Sequence, residues 1–292
     1  MKTRNYFLYI VIFTTMLSCN SKKNQNKQSE QQGKDDFNYL TEQFADIKIM
    51  RYQVNGFENL SLNQKKLVYY LSQAALCGRD IIFDQNYKYN LLVRRTIENI
   101  YNSFKGNRES DDFKKFVVYC KLVWFSNGIH HHYSTDKFFP EFSEVYLKEL
   151  IENSDIKGFA LDANEKPEDF ISRISKIIFD PNVASKRVCQ EADKDLLNCS
   201  AMNFYEGVTQ KEAEDFYNNM KLQYEAKNGK MKDEPVSYGL NSKVVKENGK
   251  IVEKVWKAGG MYDAAIQKII FWLEKALTVA ENAQQKKHLE LL

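Results

Sequence analysis

From Ser61 to Asn127 apolar residues return every three or four positions almost without a break, and that run commits the chain to packed helices. Four prolines and twelve glycines in 292 residues leave few places to interrupt such helices. Ser61 and Gln64 form an S-x-x-Q capping box, which predicts a helix from Ser61 to about Arg79. Leu67, Tyr70, Leu71, Ala74 and Cys77 share its apolar face, and Gly78 ends or kinks it. A second helix is predicted from about Tyr87 to Lys105, with Val93, Ile97, Ile100, Tyr101 and Phe104 on one face. Gly106 is expected to close it in a left-handed conformation. A third helix starts at Ser110, repeats Phe113, Phe116, Val117, Cys120 and Trp124, and stops at Asn127-Gly128. The three are expected to pack as one unit, with Cys77 and Cys120 as buried thiols.

Further on, Glu141–Asn153 and Pro167–Phe179 read as amphipathic helices, the second opening on its proline. Thr209 caps another helix, anchored by Phe216 and Met220. The period then changes from 3.6 to 2. Val236–Leu240, Lys243–Lys246 and Ile251–Trp256 read as strands, with Asn248-Gly249 as a hairpin turn. A hairpin alone is marginal, so the sheet needs further strands, and Ile47–Val54 is the candidate. Tyr262 to about Lys287 reads as one long helix. His288-Leu-Glu-Leu-Leu292 follows it with no Gly, Asn or Pro stop, which reads as a truncated chain. The predicted class is α+β, mostly helical, with a small β-sheet or partial β-barrel.

Residues 1–18 read as an export signal. Lys2 and Arg4 precede a mostly apolar run of twelve residues, Tyr6–Leu17, too short to span a bilayer. Ser18-Cys19 after that run resembles the lipobox of bacterial lipoproteins, and Cys19 is the expected lipidation site. An ordinary signal with an incidental Cys19 is the alternative. Residues 19–36 contain no apolar side chain after Cys19 and are expected to be a tether, with a folded body over 37–292. A membrane-anchored bacterial lipoprotein on the periplasmic or surface side is the implied location. Lys plus Arg number 42 against 39 Asp plus Glu; without Lys2 and Arg4 the balance is 40 against 39. That excludes the basic footprint of a nucleic-acid binder. Cys189 and Cys199 are close enough in sequence to pair, although spacing alone does not supply the geometry of a bridge.

Little catalytic chemistry is legible. There is no H-E-x-x-H, no H-E-x-x-x-H, no C-x-x-C, no phosphate-binding glycine loop and no G-x-S-x-G. His288 is followed by Leu289 and cannot begin a helical zinc motif. His130, His131 and His132 are adjacent. Alternate histidines of an extended loop can share a metal. The plainer reading, a polar loop with one histidine hydrogen-bonded inside, is preferred, because catalytic zinc needs three ligands with a fixed outer shell.

Several segments taken together resemble the dipeptidyl-peptidase III family of zinc peptidases. They are Leu60-Ser-Leu-Asn-Gln-Lys-Lys-Leu-Val-Tyr-Tyr-Leu-Ser-Gln-Ala-Ala75, Phe116–Gly128, Tyr133-Ser-Thr-Asp-Lys-Phe-Phe-Pro140, Asn203–Gln210, Ser237–Lys243 and the helix from Met261. The resemblance covers roughly Phe44 onward. It implies the lower lobe of a two-lobed enzyme that releases dipeptides from the N-termini of short peptides. In the complete family member zinc polarises the scissile carbonyl and activates water. The zinc ligands, the glutamate base and the groups that hold the substrate's amine lie beyond this chain's length. The chain is therefore expected to bind no zinc, to be inactive alone, and to have a zinc-bearing lobe as its missing partner. What the resemblance carries over is Tyr133 as a substrate contact, with Asn127 and His132 as its neighbours. The alternative is a lipoprotein that binds peptide or glycan without catalysis.

Overall fold

The computed structural model describes residues 37–229 and 238–292. The predicted signal, Cys19 and the tether lie outside the described residues, as do Val236 and Ser237. The fold is α+β and mostly helical.

Two strands, β1 (Leu40–Phe44) and β2 (Ile47–Met50), open the described chain as an antiparallel ribbon. Helix α1 (Leu62–Cys77) starts at the expected capping box, with Ser61 Oγ accepting from Gln64 N and Gln64 Oε1 accepting from Ser61 N. Gly78 keeps right-handed helical angles, so α2 (Arg79–Asn86) follows with only a kink. Helices α3 (Asn90–Ser103), α4 (Asp111–Ser126), α5 (Glu144–Glu152) and α6 (Pro167–Phe179) build the main core. Val93, Ile97, Phe116, Val123, Leu147 and Ile174 are fully excluded from solvent there. Each such side chain stabilises the fold by about 1.5–3 kcal/mol through its lost contact with water. Cys120 joins this core, whereas Cys77 is only half-buried.

A short helix α7 (Leu196–Cys199) and strand β3 (Tyr205–Glu206) lead into α8 (Gln210–Asn228), which begins at the Thr209–Glu212 capping box. Strands β4 (Ser242–Glu247) and β5 (Lys250–Val255) form the hairpin, with Asn248 and Gly249 both left-handed, as its two-residue turn demands. Helix α8 lies on this sheet through Ala213, Phe216 and Val244. The chain continues through α9 (Asp263–Leu277) and α10 (Ala283–Leu291).

Several expectations change in detail. The added strand of the hairpin sheet is β3, parallel to β4, while Ile47–Met50 pairs with β1 instead. The two sheets are separate and close no barrel among the described residues. Gly239–Asn241 is a 3-10 turn rather than strand. The long C-terminal helix breaks between Leu277 and Ala283, where the Asn282 side chain accepts from Gln285 N and caps a new helix. Helix α1 does not enter the α3–α4 core but runs antiparallel to α9. Tyr70 stacks on Trp272 at 5.9 Å, and Gln64 Nε2 donates to Glu281 Oε1 at 2.7 Å. Gly106, finally, is not left-handed; a Cβ there would lie 2.3 Å from the Phe104 ring, which stacks on Phe113. It is glycine for room, not for backbone freedom.

Candidate functional site

The end of α4 is tied down by one buried amide. Asn127 caps the helix in the left-handed conformation, φ 54°. Its carbonyl accepts from Asn86 Nδ2 at 3.0 Å and from Asn90 Nδ2 at 3.5 Å. Asn90 is wholly buried; its Nδ2 also donates to Phe83 O, and its Oδ1 accepts from Ile129 N at 3.1 Å. Gly128 lies against that amide at φ 145°. Asn90 therefore fixes where the following turn begins, and nothing local in the sequence signals it.

The three histidines that follow do three different things. His130 is buried, and its Nε2 sits 2.6 Å from Ala184 O. A carbonyl can only accept, so Nε2 carries the proton and Nδ1 holds a bare lone pair with no partner. Burial pushes its pKa down to about 4, so the ring is neutral near pH 7. His131 Nδ1 accepts from both Tyr133 N at 3.1 Å and Ser134 N at 3.0 Å. His132 is exposed, stacks on His131 at 4.6 Å and meets the edge of Phe125. This is the polar loop with one histidine bonded inside. The donor set does not fit zinc. The free Nδ1 of His130 is buried, while His131 has Nδ1 on two backbone amides and Nε2 3.8 Å from Asp46 Oδ2, so the two rings serve different surroundings. No group of three His, Cys, Asp or Glu able to hold a metal occurs among the described residues.

Tyr133 stands at the tip of this turn, 87% exposed. Below it Thr135 is held at φ 65°, a conformation that costs a β-branched residue about 1–3 kcal/mol. Neighbouring backbone holds it there. Thr135 N donates to His131 O at 3.1 Å, His131 N to Asp136 O at 2.7 Å and Phe138 N to Ile129 O at 2.8 Å. Behind the turn lies the segment 184–187. Lys137 N donates to Ser185 O, Arg187 N to Thr135 O at 2.9 Å, and Arg187 Nη2 to His132 O at 3.2 Å. Lys137 is buried and points its Nζ at Asp180 O and Val183 O; burial lowers its pKa to about 8.

Cys189 and Cys199 form a disulfide. Cavities adjoin both of its halves. One, of about 450 Å³, is lined by Tyr87, Lys88, Asn182, Lys194, Cys199 and Glu206 among others. The other, about 240 Å³ and mostly apolar, includes Val188, Cys189, Leu196 and Phe204. Glu206 is held below the usual carboxylate range by Lys243, 2.5 Å away, with Lys88 at 3.7 Å.

No family model matches the sequence, and no curated protein matches it. A solved structure of DPP III from Caldithrix abyssi is similar at 17% identity with a TM-score of 0.45; the match covers 82% of this chain and 31% of that one. The chain thus spans less than a third of that protein's length. Among the described residues no helix is long and apolar enough to cross a membrane.

Proposed function

We propose that this chain is the peptide-contacting lobe of a dipeptidyl-peptidase III-like enzyme, supplying one wall of the cleft and none of the zinc chemistry. The observation that carries the reading is Tyr133: a fully presented aromatic on a turn whose backbone is tied on both sides and behind. Binding residues concentrate on loops that a rigid scaffold positions. Tyrosine suits the role, with an apolar face for packing and a hydroxyl for one hydrogen bond. The motif run Phe116–Gly128 and Tyr133–Pro140 supports the same assignment, since the resemblance it carries implies a substrate contact at Tyr133. Zinc and the residues that activate water belong to a second lobe. Short peptides are the ligands, and attachment to a bacterial membrane through Cys19 completes the proposal.

Titration of the full chain with a synthetic tetrapeptide bearing a free N-terminus tests this. Tyr133→Ala should weaken binding by about 1–2 kcal/mol, roughly 5–30-fold, as for a contact below hot-spot rank. Its melting temperature should hold, because truncating an exposed ring leaves no cavity. A lowered melting temperature with unchanged affinity removes Tyr133 from the site. Binding of an oligosaccharide and not of peptide replaces the proposal with a glycan-binding lipoprotein.

A further inference from the structure

We propose that the Cys189–Cys199 bridge is a thiol-exchange site, and that the closed bridge latches the Tyr133 turn in place. The importance of the latch for ligand binding rests on the reading of Tyr133 above; the latch itself does not.

The physical link is a continuous backbone ladder. The chains entering and leaving the disulfide loop are held together by Cys189 N donating to Ser200 Oγ at 2.9 Å, Ala201 N to Lys186 O at 3.0 Å and Met202 N to Arg187 O at 3.2 Å. The same 185–187 segment continues the ladder to the turn through Lys137 N to Ser185 O and Arg187 N to Thr135 O. Arg187 is the shared rung, bonded on one side to Met202 and on the other to Thr135 and His132. A crosslink ten residues apart holds the outer side of this ladder shut. At its inner side Thr135 is held at φ 65°, so the closed arrangement is opposed by backbone strain. Freeing the loop removes the restraint and leaves the strain to open the turn.

The two sulfurs differ in access. Cys189 is 4% exposed and faces the apolar cavity; Cys199 is partly exposed and lines the polar one with Lys88, Lys194 and Glu206, where Lys88 lies 3.7 Å from Glu206 and Lys194 2.8 Å from Glu191. A small uncharged thiol is the reactant that suits this charge-balanced wall. Its thiolate attacks Cys199 Sγ, the S–S bond breaks, and Cys189 Sγ leaves as a thiolate that takes a proton from water. A second thiolate attacks the reagent's sulfur in the mixed disulfide and leaves Cys199 as a thiol. Two thiols are oxidised to one disulfide, and the protein bridge is reduced by two electrons.

The test uses the full chain, oxidised or treated with 2-mercaptoethanol. Hydrogen exchange of the 131–137 segment and of Arg187 should quicken by about tenfold on reduction, while Ile97, Ile100 and Phe116 in the main core keep their rates. The Cys189→Ser/Cys199→Ser variant should exchange fast with or without thiol. Unchanged exchange at 131–137, an equal rise throughout the core, or a bridge that the thiol does not reduce in the folded protein each overturns the proposal. Faster exchange with unaltered tetrapeptide affinity upholds the latch and overturns the role of Tyr133, so the two readings fail separately.

Discussion

The hydroxyl of Tyr262 donates to Asp84, a residue 178 positions earlier, and the same carboxylate oxygen accepts from Asn203 Nδ2 at 3.1 Å. Three stretches of chain meet on that oxygen: α2, the segment before β3, and the start of α9. Tyr262 reaches it at φ 62°, a conformation bulky residues avoid. Burial, with Asp84 beside it, holds the phenol protonated far above neutral pH.

Tyr262→Phe keeps the ring and removes that donor to a charged group. The expected loss is about 1.5–3 kcal/mol of unfolding free energy, read from the urea midpoint. An unchanged midpoint would show that the hydroxyl contributes nothing beyond a contact with water.

His130 should make stability depend on pH. Its folded pKa of about 4 lies below the ~6.5 of an unfolded histidine, so the unfolded chain binds more protons between these values. Stability from its neutral burial is full above that window and is lost as the pH falls through it. The ring is faced by Lys137 and Arg187, which add to the depression, and by Asp136, which opposes it. Carboxylates titrate with the same sign, so the readout is a difference. Between about pH 7 and pH 4.5, wild type should lose about 2–3 kcal/mol more than His130→Gln, which keeps a donor for Ala184. Parallel urea curves for both proteins at both pH values would refute the assignment.

Gly128→Ala should damage the root of the turn. The added Cβ would fall 2.1 Å from Asn90 Nδ2, at a φ of 145° that alanine rarely adopts. Expected destabilisation is about 2–4 kcal/mol, together with altered near-ultraviolet circular dichroism. A variant that melts with the parent would mean that Asn90 can move aside.

Cys19→Ala should release the protein from membranes to the soluble fraction. The apolar run, Ser18-Cys19 and the polar stretch behind it motivate this, and anchoring that rests on two or more acyl chains is stable only while they are attached. Fractionation that does not differ from wild type sinks the lipoprotein assignment.

Local chemistry is what the sequence exposes best. The capping boxes at Ser61 and Thr209, the cap at Ser110 and the left-handed stop at Asn127 are satisfied within four residues, so each is legible in its own neighbourhood. Long-range choices are not. Periodicity shows that α1 has an apolar face but not that α9 covers it, and two residues of β3 carry too little pattern to be found. The break near Thr278 escaped because Thr, Ala and Glu all sit well enough in a helix, while Asn282 acts as a cap only once the chain has turned. Within the site, the exposure of Tyr133 followed from its loop. Asn90 and Arg187, which hold that loop, are an ordinary helix residue and an ordinary arginine until distant backbone reaches them.

The pairing of α1 with α9 sets an order of events during synthesis. Cys77 ends one partner and Asp263 begins the other, so about 190 residues must leave the ribosome between them. At ~5–20 residues per second that is a wait on the order of 10–40 s. Throughout it Tyr69 and Tyr70 have no Trp272 to pack against, while α3 to α6 can already condense from their own sequence. The early helix is therefore the stretch most in need of a chaperone, and the last to be protected once folding is complete.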